Sequence, residues 1–212
     1  MNRRRHRQHG QSLVELCFVL PILLLLFEGV YTAGAFISDM DIAGQATRAG
    51  ARLGAEVANY GYGTPGAQTA ACMGASTTNP CAVDQDIITS VVTIAKGMSN
   101  VTSFDEIDIY NPCASGGSCT GATSLCSDPS NISGKYVAVV DPADVYKLQS
   151  GTWTLQGTAG YTLDKRTQNH PNELAIGIRL VFHFQAAAPI TFFNVQTAQY
   201  ETMCFAPYES GG

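Results

Sequence analysis

Residues 10–37 read GQSLVELCFVLPILLLLFEGVYTAGAFI, and the rest of the chain is organised around this segment. Leu16 to Ile37 are about 22 residues, which in a helix would span roughly 33 Å, enough to cross a hydrocarbon core of about 30 Å. Arginines precede the segment at positions 3, 4, 5 and 7, and none follows it directly. By the positive-inside rule, the N-terminus is then cytoplasmic and the body extracytoplasmic. The sequence therefore predicts a single-pass protein of the cytoplasmic (inner) membrane.

Composition predicts one compact domain with an N-terminal extension. The chain has 212 residues, of which 45% are hydrophobic and 14% are charged, and these values suit a packed core. Beyond residue 10, eight basic residues face 17 acidic ones. Phosphate binding relies on Lys and Arg displacing counterions, so this acidic body makes nucleic acid an unsuitable partner.

Residues 38–58 predict that the membrane helix continues outward. They contain no proline, and Ile42, Ala46, Ala49, Leu53 and Val57 recur at helical spacings, which is typical of a helix packed along one face. Gly50 and Gly54 leave room for a close neighbour, and we expect that neighbour to be the chain's own domain. The helix should end at about Ala58, before Gly61.

The remaining chain predicts a second helix and an antiparallel sheet. Residues 84–97 have acids in the first turn and end at Lys96-Gly97, as a helix would. Strands are predicted at 103–110, 135–140, 153–163, 174–185 and 195–205, with no crossover helices between them. The predicted fold is α+β and disulfide-stabilised: a basic leader at 1–10, a helix at 11–58 with its span at about 16–37, and an extracytoplasmic domain at 59–212.

Six cysteines in the polar body predict disulfides. Cys17 lies in the apolar segment, and the others are Cys72, Cys81, Cys113, Cys119, Cys126 and Cys204. An extracytoplasmic location favours bridges, whereas a zinc site would usually show a close CxxC pair or interleaved histidines. Six cysteines allow 15 pairings, so connectivity stays open, with a local Cys72–Cys81 bridge as the best single guess.

A glycine followed five residues later by a glutamate stands at the mouth of the apolar segment. This order, Gly10, Gln11 and then Glu15 behind a basic leader, resembles the type IV prepilin cleavage site, in which a membrane peptidase cuts after the glycine. The resemblance implies that Glu15 pairs with the N-terminal amine of a neighbouring subunit. An uncleaved signal anchor and an ordinary signal peptide cut near Ala33-Gly34-Ala35 are the alternatives. Glu28, inside the span, either snorkels or protonates, or it makes an intramembrane contact with a partner.

The segment GQSLVELCFVLPILLLLFEGVY, followed by QATRAGARLGA, resembles the N-terminal region of TadE-like minor pilins (pseudopilins) of tight adherence, or Flp, pilus systems. The resemblance is good over residues 10 to about 57. It implies a structural role in pilus assembly, with other pilin subunits, inner-membrane assembly proteins, a prepilin peptidase and membrane lipid as partners.

No catalytic constellation is recognisable, so we expect no enzyme activity, no cofactor and no metal. Asp105, Glu106 and Asp108 could ligate calcium but lack the glycine-bearing loop, and a solvated strand edge is the better interpretation. Asp141 and Asp144, beside Pro142, are interpreted as turn and cap residues. The alternatives to a pilus component are an anchored extracytoplasmic binding module with an uncleaved signal anchor and a secreted hydrolase without a recognisable motif.

Overall fold

The computed structural model describes residues 6–60, 82–110, 112, 143–157, 161, 175–186 and 194–204. Two helices and five strands lie in these ranges, in the order α1 (His6–Tyr60), α2 (Ala82–Ala95), β1 (Val101–Tyr110), β2 (Ala143–Gln149), β3 (Thr152–Leu155), β4 (Ala175–Gln185) and β5 (Asn194–Cys204). This arrangement confirms the predicted α+β fold. The strand predicted at 135–140 lies outside the described residues.

Helix α1 has an apolar half, residues 13–37, that is not covered by the body. Apart from Phe36, which packs against the body, its large hydrophobic side chains range in exposure from 49% at Leu20 to 75% at Val30. The helix is continuous through Pro21, and by length and composition it is able to cross a membrane. So much contiguous apolar surface is unfavourable in water, and therefore this half requires lipid or other helices around it.

The packed half of α1, residues 39–56, enters the core through small side chains. Its buried residues include Ala43, Ala46, Thr47, Gly50, Ala51, Gly54 and Ala55. A Cβ on Gly50 would lie 2.4 Å from Val91 Cγ2 of α2, and one on Gly54 would lie 2.6 Å from Ile176 Cδ1 of β4. The glycine pair therefore packs within the chain's own domain, as predicted. The larger Ile42 and Leu53 are only half-buried, because close approach selects small residues at the centre of the contact.

The five strands form one antiparallel sheet in the order β3-β2-β1-β4-β5. The core consists of fully buried side chains from α2 and from one face of β1 and β4, including Ile87, Val91, Ile107, Ile109, Ile176, Ile178, Leu180 and Phe182. Helix α1 contacts α2, β4 and β5. Both helices therefore cover the same face of the sheet, which is called the inner face below.

The sheet has one end near the apolar half of α1 and one end far from it. Phe36 stacks edge-on against Phe184, with ring centroids 5.1 Å apart, whereas Gly54 contacts Ile176 at the other end of β4. The near end therefore contains the end of α2 and the start of β1. At the far end, α2, β2 and β4 begin, and α1, β1 and β5 end.

Several predicted boundaries need correction. Helix α2 begins at Ala82 and ends at Ala95, two residues before the predicted bounds at each end, and β3 ends at Leu155 instead of 163. Gly157 follows β3 with a φ of +80°, which glycine adopts readily. Strand β2 was not predicted, and the interpretation of Asp144 as a cap is wrong. Asp144 lies in β2, where its Oδ1 accepts a hydrogen bond from the Tyr161 N–H at 3.1 Å.

Replacing Gly50 with alanine should destabilise the protein, because Val91 Cγ2 is a stiff neighbour that must move. We expect a net loss of about 1–2 kcal/mol, or roughly 3–6 °C in Tm, after the gain in helix propensity. The matched control is Gly44→Ala, whose Cβ would meet only the flexible Gln199 amide at 3.5 Å. Its Tm should stay constant or rise. Thermal unfolding of the full chain in detergent measures both, and equal shifts would contradict the close packing.

Candidate functional site

The residues predicted to act in processing and assembly all lie on α1. Gly10 and Gln11 are in its first turns, Glu15 is exposed on the apolar half, and Glu28 is half-buried two to three turns before the body. Glu15 and Glu28 are 13 residues apart, or about 20 Å along a helix. They therefore belong to two separate levels of the apolar half and do not form one site.

The cysteine predictions fall mainly outside the described residues. This applies to Cys72, Cys81, Cys113, Cys119 and Cys126, while Cys204 is the last residue of β5. Cys17 is a free, exposed cysteine on the apolar half of α1. The predicted disulfides therefore stay predictions.

A buried carboxylate marks the junction between the apolar half and the body. Asp39 is 1% exposed, and its Oδ1 and Oδ2 accept hydrogen bonds from the backbone N–H groups of Ser99 and Asn100, both at 3.0 Å. Two amide donors compensate a carboxylate for the water that burial removes. Asp39 thus ties the connection between α2 and β1 to the point where α1 leaves the body. Sequence reasoning missed this role.

The outer face of the sheet, opposite the helices, carries a charged cluster. Asp108 Oδ2 lies 2.8 Å from Arg179, which also reaches Glu106 Oε1 at 3.4 Å, and Lys147 lies 3.3 Å from Glu106 Oε2. The prediction of a solvated strand edge is wrong, because β1 is the central strand and Asp108 is fully buried. Arg179 of β4 contacts both acidic residues of β1, and Lys147 of β2 contacts Glu106, so the cluster holds three strands together.

Burial raises the pKa of Asp108 to about 7 from the ordinary 3.8. The nearby Glu106 acts in the same direction, and the Arg179 guanidinium opposes them. Asp108 Oδ1 is also buried without a hydrogen-bond partner, which disfavours the ionised form. The fold therefore keeps Asp108 protonated to a much higher pH than a solvated aspartate.

Ser103, Asp105 and His183 meet at the near end of the outer face, but their geometry is not that of a catalytic triad. Asp105 Oδ2 lies 2.6 Å from His183 Nδ1, and Ser103 Oγ lies 3.4 Å from that same nitrogen. A serine nucleophile needs its base on one imidazole nitrogen and the orienting carboxylate on the other. Here Ser103 instead donates to Asp105 at 2.9 Å. The arrangement cross-links β1 and β4.

Metal ligation finds no support in the described part of the chain. No group of three or more His, Cys, Asp or Glu side chains there is arranged to hold an ion. In the charged cluster, the Arg179 guanidinium contacts both Asp108 and Glu106. The carboxyl groups that the sequence grouped as a candidate calcium site therefore contact side chains of the chain itself.

The structure fits the class of single-pass, membrane-anchored proteins. One half of its long helix is apolar and uncovered, and the other half packs in the core of a small α+β body. Within that class, the family model described as TadE-like protein matches residues 10–52. The match includes the apolar half of α1 and most of its packed half, and it confirms the resemblance found in the sequence. The TadE-like family indicates a component associated with the Tad pilus. No curated protein and no solved structure matches the chain.

The raised pKa of Asp108 predicts a specific pH dependence of stability. The unfolded chain loses this proton near pH 4 and the folded chain near pH 7, so the contribution of Asp108 to stability falls as pH rises between those values, by about 1.4 kcal/mol per unit. Asp108→Asn should remove this slope, so that its stability relative to the unsubstituted chain increases from pH 5 to pH 7 and then levels off.

Chemical denaturation of the full chain at half-unit pH intervals measures the effect. Asp86→Asn is the matched control, because Asp86 is exposed on α2 and its removal should leave the pH profile unchanged. Parallel profiles for Asp108→Asn and the unsubstituted chain would contradict the raised pKa.

Proposed function

We propose that this protein is a minor pilin or pseudopilin that helps to assemble a tight adherence (Flp) pilus after cleavage following Gly10. The observation that carries the proposal is the TadE-like match over residues 10–52. That match includes the part of α1 that leaves the body and presents its apolar side chains. A helix of this kind is suited to bundling with other helices in a membrane or a filament. The protein acts as a structural component in this account.

Processing would convert the N-terminus into an assembly element. Cleavage after Gly10 removes the arginine-rich leader and makes Gln11 the first residue and Glu15 the fifth. A glycine admits the backbone to a peptidase without a side chain in the way. Glu15 would then pair with the N-terminal amine of a neighbouring subunit, since an acid surrounded by lipid is costly unless it meets a partner. The prepilin peptidase and other pilin subunits are the partners of this step.

The body would stand on the extracytoplasmic side, with its far end directed away from the membrane. The positive leader supports this orientation. Five of the six candidate cysteines lie in the segments 61–81 and 111–142, which join elements at the far end, and Cys204 ends β5 there. In an oxidising compartment they would form disulfides. Inner-membrane assembly proteins and lipid would contact the opposite part of the molecule.

Glu15→Ala tests the assembly role. The variant should still insert in the membrane, because alanine suits an apolar helix, but the yield of pili should fall by about tenfold or more if the lost charge pair is worth at least about 1.4 kcal/mol. Pili sheared from the native host would be counted beside immunoblots of the membrane fraction. Val14→Ala, at the neighbouring position, which is also exposed, is the control and should assemble normally. Normal piliation by Glu15→Ala would refute the registry role.

A further inference from the structure

The near end of the sheet lies level with the last residues of the apolar half of α1. Phe36 contacts Phe184 at the near end, and Gly54 contacts Ile176 at the far end. Phe36 and Gly54 are 18 residues apart, or about 27 Å along a helix. Phe184 and Ile176 are eight residues apart, which is also about 27 Å along a strand. Helix α1 therefore runs alongside β4, and the near end faces the direction in which the apolar half leaves the body.

The apolar half continues directly into the body. Helix α1 is continuous from His6 to Tyr60, and Asp39, just after the apolar half, accepts the hydrogen bonds from Ser99 and Asn100. Those two residues connect α2 to β1 at the near end. With the apolar half in lipid, the near end must therefore lie at the adjacent lipid surface.

The described part of the body exposes two large hydrophobic side chains, and both lie at the near end. Leu148 and Val195 are each 40% exposed, and every other large hydrophobic residue that is exposed in the described ranges belongs to α1. Val195 pairs with Phe184 in the register of β4 and β5. Leu148 is the last residue but one of β2, which ends at the near end because it runs antiparallel to β1. The strands β2 and β5 lie on opposite sides of the central pair β1 and β4.

A tight hairpin presents Leu148 together with Trp153. Ser150 and Gly151 join β2 to β3, and both have a positive φ, of 50° and 84°, as a type I′ turn requires. Leu148 and Trp153 are directly opposite each other in the register, so they share one face of the sheet, and Trp153 is half-buried. Leu148, Trp153 and Val195 form what we call the near-end rim.

A lipid surface suits this rim better than a protein partner does. Stable protein interfaces bury about 800 Å² on each partner, whereas the rim exposes only parts of a few side chains on separate strands. Contact with lipid needs no such area, because α1 already holds the rim beside the membrane. Tryptophan is enriched at membrane–water interfaces, where its ring lies among the headgroups and its N–H group stays hydrated.

We propose that the near-end rim docks in the headgroup region of the membrane that α1 crosses. The body would then contact the lipid surface on both sides of the central strands, in addition to its attachment through α1. The contact is apolar, so it requires neither anionic lipid nor low salt. The inference rests on the membrane location of the apolar half, which the proposed function shares, but it does not depend on cleavage after Gly10 or on pilus assembly.

Fluorescence quenching tests the proposal, because Trp153 is the only tryptophan of the chain. The full chain would be reconstituted in phosphatidylcholine vesicles that carry a nitroxide either on the headgroup or near the end of an acyl chain. We expect the headgroup nitroxide to reduce the Trp153 emission about twofold or more, and the deep nitroxide to reduce it far less, because the rim lies at headgroup depth. High salt should leave both values unchanged.

A fluorophore at the far end is the matched control. Ala82→Trp, in a chain that also carries Trp153→Phe, places it at the exposed first residue of α2. Its quenching should be about fivefold weaker, since the far end is about 27 Å away along β4. Leu148→Glu should reduce the quenching of Trp153 about twofold, because a carboxylate disfavours transfer of the hairpin out of water. Thr89→Glu, at an exposed position of α2, adds the same charge and should leave the quenching unchanged.

Four results would overturn the proposal: equal quenching of the two fluorophores, stronger quenching by the deep nitroxide, no quenching of Trp153, or an emission that changes with the protein-to-lipid ratio. The last result would indicate contact between copies of the chain. Flotation of the vesicles separates this inference from the proposed function. If the chain floats with the vesicles but Trp153 is not quenched, only this inference fails. A chain that does not float would refute both, because both require the membrane location.

Discussion

The hydrogen bonds from two backbone amides to the Asp39 carboxylate fix the position at which α1 passes from its exposed apolar half to its packed half. On one side of Asp39, α1 presents large apolar residues to the outside; on the other, it enters the core through alanine and glycine. Gly50 and Gly54 allow α2 and β4 to approach the helix closely, and the sheet is assembled against that contact. Because the carboxylate is buried and bound at both oxygens, the body has a defined position around α1 as well as along it.

That defined position links the membrane to the body. The side of α1 that carries the sheet continues into the apolar half as the side that carries Thr32 and Glu28. The side-chain contacts of the outer face, Asp108 with Arg179 and Asp105 with His183, join β1 to β4. They stabilise the sheet, whereas the proposed assembly role depends on the helix.

The local pattern of hydrophobic, polar and turn residues predicted the helices and most strands. It did not predict features that depend on contacts between residues distant in sequence. The strands β1, β4 and β5 have strong β-formers and begin and end within two residues of their predicted bounds. Strand β2 was missed because the Asp-Pro-Ala-Asp sequence before Val145 resembles a turn, and only the Tyr161 amide explains a buried Asp144. Asp39 was missed because its donors lie 60 and 61 residues away. The order of strands, which makes β1 central and buries Asp108, cannot be inferred from the alternation within one strand.

The mature N-terminus of the membrane-extracted protein from its native host tests the central claim most directly. Intact-mass analysis and mapping of the N-terminal peptide would locate it. If α1 is a prepilin-type assembly helix, the mature chain begins at Gln11 and remains in the membrane or pilus fraction. An intact Met1 would instead favour a permanently anchored binding module, and a terminus near Phe36 would separate the body from its anchor; either result would contradict the account.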